Sequence, residues 1–457
     1  MKKLVGIEFN TFSNVDDIGR VFTYEGRIMR GIFPKGLPII KDLFASGLMD
    51  ELYREEYIPK TDITEFYTDE FPMILEHEKI DFISYYSEWT LSMIKDAGLF
   101  VLKLESFLIQ RGYRLKDCHP YNILFRSKGD CIYVDIGSIV PVADNRGSFL
   151  MEFDSFYTYP LSLYACYPDL VSKIIRRNHA WSIRELIVIE NGVSSSILNK
   201  LKYMEARLLY GMTNKIALLN KIFLKHRKNL LTNQKFYAKG TWSDYQNLDN
   251  LYSVLECNFE EVFTNGRFER YKKILASVKK IAPKSVLEFG ANSGLFAVAA
   301  CKFCNSIDRY IATDFDNRAI DELYAFIKNN RFKYGYLLNI NPLVMDLTGE
   351  YYHRNWKPLT KRIASDVVIC MAITHHLILS QGINLRELFK YLKSLSRKYL
   401  IIEFMPLGLW GGNEVDSTVP EWYTLDWFIE CMKEYFVIQS VEQLEKNRVL
   451  LIGTIAE

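Results

Sequence analysis

Charge of one sign is the first thing this chain of 457 residues does without: 57 Lys and Arg stand against 55 Asp and Glu, a formal net charge of +2. A chain that grips a nucleic acid backbone carries a basic surplus, so nucleic acid is not the expected partner. Also missing is any apolar run near the ~20 residues that cross a bilayer. The opening stretch MKKLVGIEFN reaches Glu8 before an apolar segment can form, so no signal peptide is expected and the cytoplasm is the expected compartment. Cysteine is sparse: eight residues, scattered through apolar runs as reduced, buried thiols would be. The single C-x-x-C, Cys301 and Cys304, falls in a helical stretch where both side chains share a face. With no second pair to complete a zinc site, packing accounts for it and no metal is expected.

The pyrophosphate fingerprint G-x-G-x-x-G is incomplete as well, and what stands in its place organises the chain. In residues 285–296, SVLEFGANSGLF, the side chains of Ser285, Val286, Leu287 and Phe289 suit a short buried parallel strand. Gly290 and Gly294 frame a turn that runs into the apolar helix Leu295–Ala300. The turn reads Glu288, Gly290, Asn292, Gly294, an E-x-G-x-x-x-G whose middle glycine is absent. Either it is a nucleotide- or nucleoside-binding βα turn, or it is any tight turn of a doubly wound sheet.

Later strands follow in order. Arg309–Thr313 ends at Asp314, where a doubly wound fold hydrogen-bonds ribose hydroxyls, although Asp314 or Asp316 equally suits a helix N-cap. Leu343–Asp346 is a third short strand whose carboxylate can accept an adenine amino group. The fourth, Asp366–Ala372, runs into His375 and His376 at the edge where open α/β sheets bind ligands. An unperturbed histidine, with pKa near 6.5, can take a proton from a hydroxyl, and burial against the next helix is the rival reading. Metal binding is disfavoured, because adjacent residues on an extended chain point to opposite sides. A fifth strand, Tyr399–Phe404, carries Glu403, and Phe436–Val441 with Arg448–Ile455 reads as a closing hairpin. Five βα units ended by a hairpin differ from a dehydrogenase, which continues with a sixth parallel strand.

The first half opens with short strands (Leu4–Phe9, Val21–Tyr24, Arg27–Phe33) and a long helix over Glu88–Arg111. In KDCHPYNILF, Asp117 and Asn122 share one loop, and Asp135 opens a D-x-G after the strand Cys131–Val134. That is the order in which kinase-like folds place a base, a metal-binding amide and a magnesium-binding aspartate. The histidine usual two residues before the base is Leu115, and neither a glycine-rich loop nor a V-A-I-K lysine precedes it. Arg30 is the nearest strand cation, and a capped hairpin loop is the alternative. From Asn199 to Lys239 the chain is basic and helical, a packed connector between a unit at 1–198 and a unit at 240–457.

The words FISYYSEW (82–89), KDCHPYNILF (116–125), VDIGS (134–138), GTWSDY (240–245), LEFGANSGLF (287–296), NPLVMDL (341–347), AITHHL (372–377) and IIEFMP (401–406) give a specific match. Through them the chain resembles class I S-adenosylmethionine (SAM) methyltransferases that carry a kinase-like N-terminal half, the family related to the nodulation protein NoeA. The resemblance implies an α/β fold. Its C-terminal half would be a Rossmann-like methyltransferase sheet with a terminal antiparallel hairpin, and its N-terminal half a degenerate α+β kinase-like domain. It implies methyl transfer from SAM to a small-molecule or glycan acceptor in cell-surface or nodulation-type modification, with glycan-biosynthesis proteins as partners. SAM would be held by Glu288, Gly290, Asn292, Gly294, Asp314 and Asp346, with His376, His375 and Glu403 about the reacting atoms. Mg-ATP at Asp117, Asn122 and Asp135 would make the protein a bifunctional kinase and methyltransferase. A first half that only docks a partner is the other alternative. The stretch Leu407–Pro420, with Gly408, Gly411 and Gly412, is expected to lie over the acceptor as a lid.

Overall fold

In the computed structural model of the chain, the described residues are 2–9, 17–126, 129–143, 149–164, 166–176, 180–182, 185, 204–205, 207–212, 217–234, 246, 248–264, 268–347, 359–408 and 419–455. GTWSDY, the basic residues Lys200, Lys202 and Lys215, and residues 409–418 of the expected lid lie outside them. Contacts divide the chain into two units, one from Met1 to Ala238 and the other from Lys239–Tyr352 and Lys357–Glu457.

The first unit opens with strands β1 (Lys2–Lys3), β2 (Glu8–Phe9), β3 (Gly19–Tyr24) and β4 (Arg27–Ile32). Helices α1 (Leu37–Ala45) and α2 (Leu48–Arg54) follow, then strands β5 (Thr61–Ile63), β6 (Phe66–Tyr67) and β7 (Met73–His77). Five of these strands form an antiparallel sheet in the order β2-β3-β4-β7-β5. The expected strand Leu4–Phe9 survives only at its end, as β2, while Lys2–Lys3 pairs separately with β6. Helix α3 (Leu91–Ile109) begins where the Thr90 side chain accepts the Met93 N–H, an ordinary N-cap, and buries an apolar stripe. Short strands β8 (Tyr113–Leu115), β9 (Ile123–Phe125), β10 (Cys131–Tyr133) and β11 (Ile139–Pro141) flank the connections that carry the D-x-x-x-x-N and D-x-G residues. Helices α4 (Phe149–Phe153), α5 (Tyr159–Tyr164), α6 (Pro168–Arg176) and α7 (Ala217–Asn233) complete the described part.

Helix α7 is the longest described part of the basic stretch, and it packs within the first unit. Arg227 makes a two-pronged pair with the fully buried Asp154, Nε to Oδ1 at 2.6 Å and the second amino group to Oδ2 at 2.7 Å. The Tyr210 hydroxyl also donates to Asp154. At the far end of α7, Lys95 Nζ donates to the carbonyls of Thr232 and Gln234, satisfying groups a helix C-terminus leaves open.

The second unit begins with α8 (Leu248–Glu256) and α9 (Glu269–Ile281) and then alternates: β12 (Ser285–Phe289), α10 (Leu295–Phe303), β13 (Arg309–Asp314), α11 (Asn317–Asn330), β14 (Ile340–Val344), α12 (Leu359–Ile363), β15 (Ser365–Cys370), α13 (Leu385–Leu395), β16 (Ser396–Phe404) and α14 (Leu425–Lys433). β17 (Val437–Glu445) and β18 (Arg448–Thr454) close it. One sheet holds all seven strands in the order β14-β13-β12-β15-β16-β18-β17. The first five are parallel, and β18 runs antiparallel to both its neighbours. Every residue of β12 and β15 is buried, as a central parallel strand covered on both faces requires. The terminal hairpin is tighter than the sequence implied, because β17 continues to Glu445 and leaves Lys446 and Asn447 as the turn. Strand order reverses at β12, with β13 on one side and β15 on the other, and a crevice outside the carboxyl ends of such strands is where open sheets bind ligands.

Candidate functional site

The site is built on the turn after β12. Gly290, Asn292 and Gly294 all take positive φ, at 74°, 51° and 80°. A side chain at Gly290 would meet Ile373 Cγ2 at 2.4 Å, and one at Gly294 would meet Leu323 Cδ1 at 2.5 Å. Both glycines are therefore required by backbone conformation and by packing. The turn is tied to the next strand, since the Asn292 N–H donates to Asp314 Oδ2 at 2.9 Å and the Ala291 N–H to the Thr313 carbonyl at 2.9 Å.

Asp314 also accepts the Asp316 N–H on Oδ1 at 2.9 Å. Burial, with help from the Asp316 charge, pushes its pKa up to about 6 against the pull of these backbone donors. At neutral pH it is thus ionised, and the N–H groups of Asn292, Phe315 and Asp316 take three of the four lone-pair positions of its carboxylate, which leaves one for a further donor. The two N-cap alternatives resolve onto Asp316, whose side chain caps α11 by accepting from Arg318 and Ala319. Phe315 lies between them, a residue 51% exposed, and offers an apolar surface at the carboxyl end of β13 that its sequence did not single out. Asp346 is half-buried and stands two residues beyond β14, whose chain continues through the Met345 N–H to the Asp314 carbonyl at 2.8 Å.

Glu288 does not face the crevice. It is 1% exposed, and its Oε2 accepts from the Tyr310 hydroxyl at 2.8 Å. Burial, reinforced by the Asp314 charge, raises its pKa to about 8. Beside it, burial raises both thiols of the C-x-x-C, that of Cys304 to about 11, so they are protonated and inert.

At the end of β15 the chain does not stay extended. Ala372 adopts φ of 53°, and His375 and His376 enter a π-helical turn over His376–Ser380. Their ring centroids are 4.1 Å apart, which corrects the expectation that the two side chains diverge. His375 is buried and its Nδ1 has no hydrogen-bond partner among the described residues. Burial, then His376 and Arg448, pushes its pKa down to about 3. His376 is half-buried, and burial lowers its pKa too. Among the described residues no three His, Cys, Asp or Glu side chains gather as a metal site.

Glu403 lies at the heart of an ion-pair network. Its Oε1 meets Arg270 Nε at 3.1 Å and its Oε2 meets Arg448 at 3.2 Å, while its carbonyl accepts the Thr374 hydroxyl at 2.8 Å. A fully buried carboxylate held by two guanidinium groups is an anchor, here fixing the segment that carries the histidines. Two further contributors were not visible in the sequence. Gln246, directly after GTWSDY, accepts the Leu295 N–H at 3.0 Å and so caps α10. Trp422 is half exposed and packs edge-on against Trp427 at 4.8 Å, while Tyr423 lies on Phe404 at the carboxyl end of β16.

In the first unit, Asp117, Asn122 and Asp135 come together. Asn122 Nδ2 donates to Asp117 Oδ1 at 2.6 Å, and the Ser138 hydroxyl lies 2.7 Å from Asp117 and 2.6 Å from Asp135. Arg30, on β4, reaches Asp135 Oδ1 at 2.9 Å. Burial opposes ionisation of Asp135, but Arg30, Ser138 and His119 outweigh it and hold its pKa below the usual carboxylate value.

The second unit is thus an open α/β sheet with its glycine turn and a carboxylate at the switch point. No family model matches the chain. It is similar to nodulation protein NoeA of Rhizobium meliloti (strain 1021), 22% identical over 429 residues that cover 86% of this chain and 83% of that protein. Solved structures that resemble part of it include a SAM-dependent methyltransferase from Aquifex aeolicus, 16% identical, covering 42% of this chain and all of that one, with a TM-score of 0.30. Another is an O-methyltransferase family protein from Burkholderia thailandensis, 14% identical, covering 47% of this chain and 70% of that one, with a TM-score of 0.27. At such scores the likenesses say nothing of this chain's chemistry. Among the described residues no helix is long and apolar enough to cross a membrane.

Proposed function

We propose that the second unit binds SAM and transfers its methyl group to a hydroxyl of a sugar or similar acceptor. The observation that carries this is the turn 290–294 bound to Asp314, an ionised carboxylate with spare acceptor capacity at the switch point of the sheet. Asp314 would hold the ribose hydroxyls, Asp346 the adenine amino group and Phe315 one face of the base, while Gly290 and Gly294 would leave room for the methionine end. When bound, SAM supplies a methyl group already activated by its sulfonium.

The chain's own part is alignment and proton removal. His376, the less buried of the pair, would take the acceptor's proton as the acceptor oxygen bonds to the methyl carbon. His375, neutral because its pKa is pushed down to about 3, would orient the hydroxyl from beside it. Glu403 would act through Thr374 and Arg448 to fix this segment. A sugar acceptor is supported by the exposed indole of Trp422, since an aromatic face with a polar edge suits a ring of mixed character. It also fits the glycan modification that the resemblance implies. The test is incubation of the full chain with methyl-labelled SAM and a panel of oligosaccharides and simple alcohols. Label transferred to a sugar hydroxyl, and lost in His376→Asn, supports the reading; label on amine or thiol acceptors only would refute it.

A second reading concerns the first unit, where Asp117, Asn122 and Asp135 gather beside Arg30. This arrangement favours weak Mg-ATP binding there, without efficient phosphoryl transfer because the sequence upstream carries neither a V-A-I-K lysine nor a glycine-rich loop. A titration with Mg-ATP that leaves Asp135→Asn and the parent chain identical would dismiss it.

A further inference from the structure

Away from both sites, the first unit contains a cavity of about 1040 Å³ between α3 and α7, and its lining has two parts. From α7 come Ala217, Asn220, Lys221, Leu224, Lys225 and Lys228, the spacing of one helix face. Lys103 and Arg114 face them, and Glu55 also lines the space. Arg111 is already paired with Glu51 at 2.6 Å. Between the cations the wall is mainly aliphatic, with Leu99, Leu102, Ile109, Val142 and Leu224, and Ser106 and Gln110 are its polar members. The aromatic residues Tyr57 and Phe107 pack on each other at 5.0 Å and are covered by Lys103 and Arg111, 5.1 and 3.5 Å from the ring centroids.

Arg114 distinguishes this space from a patch of solvated lysines. It is 6% exposed, and its neighbour Glu105 stands 4.0 Å away, beyond hydrogen-bonding distance. Glu105 Oε1 has no hydrogen-bond partner among the described residues. Burial pushes Glu105 up to about 7 against the pull of the Leu115 N–H and Arg114, so near neutral pH it offsets the guanidinium only in part. A buried cation with an incomplete counter-charge, opening on a cavity, invites an anion.

We infer that this cavity binds a small anionic amphiphile, a phosphate-type head against Arg114 and the α7 lysines with an aliphatic chain along Leu99, Leu102 and Leu224. The volume is near the upper end of roughly 300–1,000 Å³ seen for small-molecule sites. An aliphatic chain is favoured over a nucleobase because the two aromatic faces are already covered. The inference is independent of methyl transfer.

The test is calorimetric titration of the full chain with octyl phosphate, inorganic phosphate and 1-octanol. Octyl phosphate should saturate at one per chain, bind at least tenfold tighter than either half-ligand, and weaken with salt. Arg114→Gln should lose at least tenfold. Because that change strands Glu105 and can lower stability, Lys225→Gln with Lys228→Gln, both exposed, provides the second variant, expected to lose about fivefold with an unchanged melting temperature. Unsaturable uptake, inorganic phosphate binding as tightly as octyl phosphate, or full affinity in the lysine variant would overturn the inference. So would adsorption to anionic phosphatidylserine vesicles without saturable binding of octyl phosphate.

Discussion

Replacing Glu288 by Gln should make the second unit more stable at neutral pH. The carboxyl group is fully buried, and its pKa rises from 4.5 to about 8 on folding. A raised pKa means that the group's contribution is fully present below pH 4.5 and is lost as pH climbs through 8. Between those limits the unfolded chain ionises and the folded chain does not, at about 1.4 kcal/mol per pH unit. At pH 7 the accumulated loss is about 3 kcal/mol, an upper figure because denatured chains are not fully solvated. Glutamine keeps the shape and an oxygen for the Tyr310 hydroxyl but does not titrate. Urea unfolding followed on the second unit at pH 5 and pH 8 should therefore show the variant gaining on the parent as pH rises. Parallel profiles, or a variant that loses ground with pH, would refute the assignment of a neutral buried acid.

Other changes test neighbouring parts of the account. Gly294→Ala combines φ of 80° with a Cβ 2.5 Å from Leu323, so it should cost about 1–3 kcal/mol, and Leu323→Ala in the same chain should relieve the steric part. Arg227→Met leaves Asp154 buried with only Tyr210 beside it and should destabilise the first unit by about 3–5 kcal/mol, read as a lower melting temperature. His376→Asn should cut turnover by about 10²-fold with partial recovery at high pH, where the acceptor ionises unaided. His375, at about 3 against an ordinary 6.5, favours folding fully above pH 6.5 and loses that contribution as pH falls toward 3, so His375→Asn should flatten the acid limb of the stability profile.

How far the sequence led can be judged residue by residue. The strand Ser285–Phe289, its glycine turn and Asp314 were legible because a continuous apolar run followed by glycines at fixed spacing has few other uses. The closing hairpin was legible from alternation, though not its tight turn. The histidine pair was misjudged for a local reason: Ala372 takes a positive φ, which alanine does not advertise, and that bend brings two rings together that an extended chain would separate. Glu288 looked like a ligand-binding acid, yet on a strand buried on both faces its position turns it into the core beside Tyr310. The pairs Arg270 with Glu403 and Arg30 with Asp135 span 133 and 105 residues. Such contacts depend on which strands become neighbours, and no local pattern announces them. Gln246 was overlooked because a lone glutamine carries no signal until the helix it caps is in place.

The central claim is that the carboxylate at the switch point belongs to a SAM site, and calorimetric titration of the full chain with SAM tests it most directly. One site with micromolar affinity is expected, weakened about tenfold or more in Asp314→Ala, as losing a hydrogen-bonded carboxylate worth about one to a few kcal/mol implies. Absence of binding at millimolar SAM in a folded parent chain, or equal affinity in a folded Asp314→Ala chain, would contradict it.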